Sequence, residues 1–394
     1  MIDFTPTPEQ AMLVEMVRRF VQEEIVPIEH ELDPDAGRLP PEKDKELRAK
    51  VAQMGLTNWD APAEVGGPGL DVVTQTLLAM EMSQHRAGLY TTCYGVFGGA
   101  GLAHLYEASD YLKERYLYPT LRGEMVGCFA LSEPSGGSDP ARAVQTRAVR
   151  DGEDWVINGS KLWISEAANA DYAILIARTG DEGRDGLTAF VVETAAAGFT
   201  VRREVPVLRK VHKPTELTFD DVRVPDRNRV SPEGAGFRMA AERLAMRRIP
   251  YAAECVGTAT AAHRMATEYA KIREVFGKPL AQQQGIQWML VDNEIDIRTA
   301  RMFVLDAAVK ADRGEPFRTE AALAKLAASE GGFRVVDRCV QIHGGLGVAA
   351  DLPLERWFRE MRIRRIGEGP TEVQRMLIAR DLLGKHASAS RRSA

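Results

Sequence analysis

Apolar residues recur three and four apart near the start of the chain. Met12, Leu13, Met16, Val17 and Phe20 set one such stripe. Thr7-Pro8-Glu9-Gln10 precedes it, with a threonine to cap, a proline for the first turn and a glutamine to complete a capping box. Similar helical spacing returns near 42–54, 72–83, 99–107 and 111–121, with turn-rich pieces such as Glu64 to Gly69 between. Residues 1–122 therefore read as an all-helical domain. The period changes after Gly123. Short β-rich runs follow at 126–131, 143–149, 154–157, 172–177, 187–192 and 216–219. Asn158-Gly159 lies between Trp155-Val-Ile and Lys161-Leu-Trp-Ile164, which predicts a type I′ hairpin. Residues 123–235 read as a small antiparallel sandwich or barrel, with the Pro-, Gly- and charge-rich segment 222–237 as its exit. Alanine-rich helical patterns then run near 239–272, 285–311, 319–342 and 372–383. They predict a four-helix bundle over 236–394, ending in a frayed basic tail. The fold class expected is multidomain α+β.

Composition narrows the function classes. The chain has 394 residues, 45% hydrophobic and 27% charged, which suits a globular protein with a sizeable core. A net charge of −5 gives no general attraction to nucleic acid or anionic membrane. Cys93, Cys128, Cys255 and Cys339 lie far apart without a C-x-x-C, and the seven histidines form no ligand pattern. Neither a disulfide framework nor a metal site is expected. No apolar run approaches a membrane span, and the first residues lack a signal-peptide pattern. A cytoplasmic location is the expectation.

The common nucleotide and hydrolase signatures are absent: there is no G-x-G-x-x-G after a strand, no Walker loop and no G-x-S-x-G. Four other stretches stand out. Cys128 to Asp139 runs from a strand into a Pro/Gly loop carrying Ser132, Glu133, Ser138 and Asp139. Lys161-Leu-Trp-Ile-Ser165 returns Trp163 along a strand. Gln341-Ile-His-Gly-Gly-Leu-Gly347 ends a long helix in glycines, which either cap it or bare N–H groups to an anion. In Gly367-Glu368-Gly369-Pro370 a carboxylate stands between bare backbone on both sides, ahead of a helix marked by Val373, Leu377, Ile378 and Leu382.

Together these stretches resemble the acyl-CoA dehydrogenase family across essentially the whole chain. Leu131 to Asp139 matches its first signature. Gln341, Gly344, Gly345, Gly347, Asp351, Arg356 and Glu360 match the second. Arg273, Phe276 and Gly277, with Gln284, match a third, and Glu368-Gly369 the last. The resemblance implies a helical domain, a β-domain and a four-helix bundle, with FAD bound non-covalently. Phe129, Leu131 and Ser132 would line one side of the flavin ring, with Trp163 and Ser165 on another. Arg273, Phe276, Gln284, Gln341, Gly344 and Gly345 would hold the dinucleotide part, partly across a subunit contact, so a homotetramer or dimer is implied. Thr371 and Glu372 join the cofactor set, and Ser138 would serve both cofactor and substrate. Leu244, Arg248, Gly367 and Gly369 would face the acyl-CoA substrate.

The implied reaction is α,β-dehydrogenation to a trans-2-enoyl-CoA. Glu368 would take the α-proton, the β-hydride would pass to flavin N5, and electrons would go on to electron-transferring flavoprotein. Desolvation is expected to raise the base toward a useful range. Some family members carry the base just before a family arginine; here that pair is Arg247-Arg248, so Glu368 alone remains. An acyl-CoA oxidase, an enoyl-CoA reductase or a low-turnover flavin-binding protein are the alternatives. The chain departs from the family at Ala245, at Pro370 and in Leu208 to Thr215. Gly367 stands where many members have an aromatic ring. The missing volume is expected to admit a bulky acyl chain or a neighbour such as Phe97 or Tyr94; otherwise Gly367 serves only to allow a positive φ.

Overall fold

The computed structural model describes residues 4–98, 103–181 and 183–387. These form two compact units. A helical unit draws on the chain up to Val51, on Leu70–Val96 and on Ala245 onward; a sheet unit draws on Ala52–Gly69 and Phe97–Leu244. Part of the stretch expected to be helical at 99–107 lies outside the described residues.

In the helical unit, α1 (Pro8–Phe20) begins with the predicted capping box. The Thr7 hydroxyl accepts from Gln10 N at 3.2 Å, and the Gln10 side chain accepts from Thr7 N at 3.0 Å. The helix runs on through a π-helical turn, Val21–Ile25, into Val26–Glu29. Next come α2 (Pro41–Gln53), α3 (Val72–Met82), α4 (Gly236–Ile272, of which the part from Ala245 belongs to this unit), α5 (Gln284–Asp312), α6 (Arg318–His343), α7 (Leu354–Arg364) and α8 (Thr371–Leu383). Gly257 of α4 lies so close to α3 that an added Cβ would stand 2.0 Å from the Met80 carbonyl. The Asp312 carboxylate accepts from Val72 N and Val73 N at 2.7 and 2.9 Å, meeting the unpaired donors at the start of α3.

Helix α7 has no counterpart among the predicted elements. Leu354, Trp357 and Met361 form its apolar stripe, but Arg356, Glu360 and Arg364 are buried beside them. Arg356 Nε donates to Glu360 at 3.0 Å, and Arg356 Nη1 to the carbonyls of Pro34 and Ala36. Such pairing makes a charged side chain tolerable inside, and it hides the helix from a hydrophobicity pattern.

The sheet unit holds seven strands: β1 (Gly127–Ala130), β2 (Arg147–Asp151), β3 (Asp154–Ile164), β4 (Tyr172–Arg178), β5 (Leu187–Glu193), β6 (Phe199–Glu204) and β7 (Thr215–Pro225). Their order is β1-β4-β2-β3-β7-β6, with β5 also on β4. The sheet is mixed rather than wholly antiparallel as expected, because β1 and β2 both pair parallel to β4. All seven residues of β4 are buried, so it reads as a continuous apolar run, Tyr-Ala-Ile-Leu-Ile-Ala, as a central strand covered on both faces should. Trp155, Ile157, Leu175, Phe190, Leu217 and Phe219 share one apolar cluster of the sheet. Tyr172, Ile174 and Val191 pack with Leu112, Tyr116 and Leu117 from the helical turns of 110–121.

The hairpin expected at Asn158-Gly159 does not form. Both residues lie inside β3, at a register shift against β7. Asn158 donates from its amide to Asp221 at 2.8 Å and accepts from Asp221 N at 2.9 Å. Gly159 is needed because a Cβ there would stand 2.5 Å from Thr146 Oγ1. The pair marks a β-bulge. The β2–β3 turn falls instead at 151–154, where Gly152 has φ +65°.

Candidate active site

Helix α7 ends at Arg364 and α8 begins at Thr371, leaving Gly367-Glu368-Gly369-Pro370 as the connecting turn. Pro370 occupies the N-cap of α8. The left-handed backbone falls on Glu368, φ +54°, and on Gly369, φ +90°, but not on Gly367. Four contacts from three side chains fix the turn. Gln374 Nε2 donates to the carbonyls of Glu368 and Gly369 at 3.3 and 2.8 Å. Lys325 Nζ donates to the Gly369 carbonyl at 2.9 Å, and Arg248 Nε to that of Glu368 at 3.4 Å. Among the described residues, the buried Glu368 Oε2 has no hydrogen-bond partner. A carboxylate oxygen held in place without a donor is available to take a proton.

The surroundings are charged. Arg364 and Arg247 share one carboxylate, Glu254, at 2.7 and 3.1 Å. The Arg364 guanidinium also lies 4.0 Å from the ring centroid of Tyr251 and 4.9 Å from that of Tyr90. Burial disfavours its charge, yet Glu254 and the tyrosines hold its pKa above the ordinary value. Burial pushes the Lys325 ammonium down to about 8, with Arg248 adding repulsion.

Tyr251 settles the question of space at Gly367. A Cβ built on Gly367 would lie 2.6 Å from the Tyr251 hydroxyl and 3.6 Å from Cζ. The space beside Gly367, expected to admit a bulky acyl chain or a neighbouring side chain, holds the Tyr251 hydroxyl. Because Gly367 has no positive φ, its glycine is required by packing against Tyr251 rather than by backbone conformation.

In the sheet unit the residues singled out from sequence range from exposed to buried. Trp163 is 54% exposed at φ +68°. Exposed Ser165 accepts from the buried Arg209 guanidinium at 2.8 Å. Phe129 stacks on His104 at 4.6 Å, with Arg243 4.7 Å from its ring centroid. Leu131 is buried, and its carbonyl accepts from Lys161 Nζ at 2.9 Å. The Ser132 carbonyl accepts from Leu162 N at 2.9 Å. Ser138 is exposed, whereas half-buried Leu244 packs in the cluster of Leu131 and Ile176.

In the helical unit Arg273, Phe276, Gln284, Gln341, Gly344 and Gly345 are all exposed. Phe276, 98% exposed, tips a small hairpin in which it and Gly277 both have positive φ, the geometry of a type I′ turn. Glu372 is exposed on the first turn of α8. Thr371 is not: it is buried, with its hydroxyl donating to Glu330 at 2.8 Å. Among the described residues no cluster of His, Cys, Asp or Glu could hold a metal ion, and no helix is long and apolar enough to cross a membrane.

Three family models match in chain order. They are the acyl-CoA dehydrogenase N-terminal domain over 7–124, the middle domain over 128–222 and the C-terminal domain over 234–383. The chain belongs to the acyl-CoA dehydrogenase family. It is 35% identical over 383 residues to the mitochondrial short-chain specific acyl-CoA dehydrogenase of Rattus norvegicus, covering 96% of this chain and 90% of that one. Among solved structures it is similar to a chain described under "Electron transferring flavoprotein of Acidaminococcus fermentans: Towards a mechanism of flavin-based electron bifurcation". There the TM-score is 0.86 at 34% identity, over 97% of this chain and 100% of that one. It is also similar to "PigA with FAD and proline", with a TM-score of 0.87 at 25% identity over 97% and 99%.

The Gly367–Pro370 turn and its surroundings are built with parts that the sequence motifs did not single out: Tyr251, Glu254, Lys325, Arg364 and Gln374. Two left a trace. Lys325 is a lone charge in Ala-Ala-Leu-Ala-Lys-Leu-Ala-Ala, the mark of a buried cation on an apolar stripe. Tyr251 follows Arg248 by three residues, which puts it on the same side of α4.

Proposed function

We propose that this chain binds FAD and oxidises an acyl-CoA thioester to the trans-2-enoyl-CoA, with Glu368 as the base. The observation that carries the proposal is Glu368 Oε2, buried and without a partner among the described residues, in a turn whose carbonyls are held by Gln374, Lys325 and Arg248. The α-C–H beside a thioester is a weak acid and a carboxylate a weak base, so the two must be placed together out of water. Glu368 takes the α-proton as the Cα–Cβ bond gains its second bond. FAD, held by residues such as Trp163, Ser165 and Arg273, would supply the acceptor for the β-hydride. The positive φ at Glu368 sets the direction of its side chain, and the three donors leave the turn little freedom to relax.

The residues present suit FAD by their chemistry. In the sheet unit an exposed indole at Trp163 and the Ser165 hydroxyl suit a planar, hydrogen-bonding ring. In the helical unit Arg273 and the bare backbone of Gly344-Gly345 suit a pyrophosphate. Electron-transferring flavoprotein is the proposed acceptor, on the strength of the similarity to the Acidaminococcus chain. Trp288, Val291, Ile295 and Met302 stand exposed along α5, which supports self-association as a dimer or tetramer.

The test is an anaerobic titration of the purified protein with a panel of acyl-CoAs. One FAD per chain is expected, with its absorbance bleached by at least one acyl-CoA and the trans-2-enoyl-CoA recovered. A protein that neither carries FAD nor takes it up refutes the proposal.

A further inference from the structure

Tyr251 carries a second consequence. It is 6% exposed, and among the described residues no group pairs with its hydroxyl, whose oxygen is not one of the fully enclosed unpartnered atoms and so keeps some access to the space beside the turn. Buried hydroxyls are paired as a rule, and leaving one unpaired is costly. Burial holds the phenol far above its ordinary pKa, so it stays protonated and is a donor. Its oxygen stands 2.6 Å from where a Cβ of Gly367 would be, and the next residue, Glu368, carries the other unpartnered oxygen, Oε2. Gly367 thus adjoins an unpaired donor and, on the next residue, an unpaired acceptor. Two such groups at one turn point to a ligand that meets both.

The charges around them indicate what that ligand carries. Arg247 and Arg364 divide one carboxylate, Glu254. Arg248 and Lys325 bond to the carbonyl oxygens of Glu368 and Gly369. These four basic groups stand with two carboxyl groups, those of Glu254 and Glu368. The Arg364 guanidinium against the Tyr251 ring also draws electron density from the phenol and sharpens it as a donor.

We propose that Tyr251 determines specificity for the acyl group. Its hydroxyl donates a hydrogen bond to an oxygen on the acyl chain, a carboxylate or a carbonyl substituent. The enzyme then prefers acceptor-bearing acyl-CoAs over plain alkyl ones of the same length. The inference rests on the reading of Glu368 as base and acyl-CoA as substrate.

The experiment uses the FAD-loaded protein. Pentanoyl- and hexanoyl-CoA are compared with counterparts bearing a 4- or 5-oxo group or a terminal carboxylate, by kcat/KM for flavin reduction. Tyr251→Phe removes the hydroxyl alone. The ratio of the best acceptor-bearing substrate to its alkyl counterpart should fall about tenfold, the usual worth of a buried hydrogen bond to a substrate oxygen. The same fall should appear in Kd by calorimetry when the Glu368→Gln protein is compared with Glu368→Gln/Tyr251→Phe, where no turnover occurs. A fall confined to carboxylates assigns an anionic acyl group; one shared by the oxo compounds assigns any oxygen acceptor. Flavin reduction by plain acyl-CoAs with a ratio that does not move overturns the role of Tyr251 and leaves Glu368 as base. Failure of every acyl-CoA to reduce the flavin removes both.

Discussion

Gly367→Ala adds one methyl group, and the structure says what it meets. The new Cβ would lie 2.6 Å from the Tyr251 hydroxyl oxygen, closer than unbonded atoms can stand, while Cζ at 3.6 Å and the Ile363 carbonyl at 3.9 Å are ordinary neighbours. The clash is with one atom. That atom cannot swing away cheaply, because the ring is buried and the Arg364 guanidinium lies 4.0 Å from its centroid. Overpacking of this kind costs about 1–3 kcal/mol. In a Tyr251→Phe background the oxygen is gone and the clash with it. There Gly367→Ala should be neutral, or stabilise by about 0.4–1 kcal/mol through the unfolded chain, since φ at 367 is not in the left-handed region. The coupling between the two sites should therefore be about 2 kcal/mol, read from urea unfolding of the four proteins of the cycle. If Gly367→Ala costs the same with tyrosine and with phenylalanine at 251, the hydroxyl is not what excludes a side chain at 367.

Glu368→Gln should keep FAD and acyl-CoA binding but slow flavin reduction by ~10²–10⁴-fold, measured by anaerobic stopped flow; near-normal reduction would place the base elsewhere. Glu254→Gln strips Arg247 and Arg364 of their shared carboxylate, and unfolding in urea should show a loss of about 3–5 kcal/mol, partly recovered by adding Arg364→Leu. Lys325 has a folded pKa of about 8 against ~10.4 in the unfolded chain, so between these values the unfolded chain holds the extra proton. Stability should rise with pH across that window by up to about 3 kcal/mol, and below about pH 8, where both states hold the proton, this dependence should level off. Lys325→Met should flatten the rise; equal slopes in wild type and variant would count against a buried ammonium.

The features that could be read from the chain are those whose cause is local. The Thr7 capping box involves residues three apart, and α5, α6 and α8 carry their own periodicity. The Glu368 turn was visible because glycine, glutamate, glycine and proline each restrict or free the backbone in a known way. Asn158-Gly159 misled because a hairpin and a bulge want the same residues. The partner strand decides, here through Asp221. Helix α7 was hidden by the burial of Arg356, Glu360 and Arg364: the first two pair with each other, and the arginines also reach distant partners, the carbonyls of Pro34 and Ala36 and the carboxylate of Glu254. The ring at Tyr251 could not be matched to the gap at Gly367, since the two meet only once α4 is packed beside the turn.

The backbone at Glu368 has a consequence over a longer span of time. A residue with a Cβ at φ +54° holds a conformation that costs about 1–2 kcal/mol relative to glycine. Glu368→Gly should therefore make the protein more stable while, with Glu368 as the proposed base, ending its chemistry. Selection for the reaction and drift toward stability pull this one position in opposite directions. In duplicated copies of the gene that no longer serve the reaction, residue 368 should be among the first to change, and glycine or asparagine should be what it becomes. A glutamate kept at this place, against its own backbone preference, then marks a lineage in which the reaction is still in use.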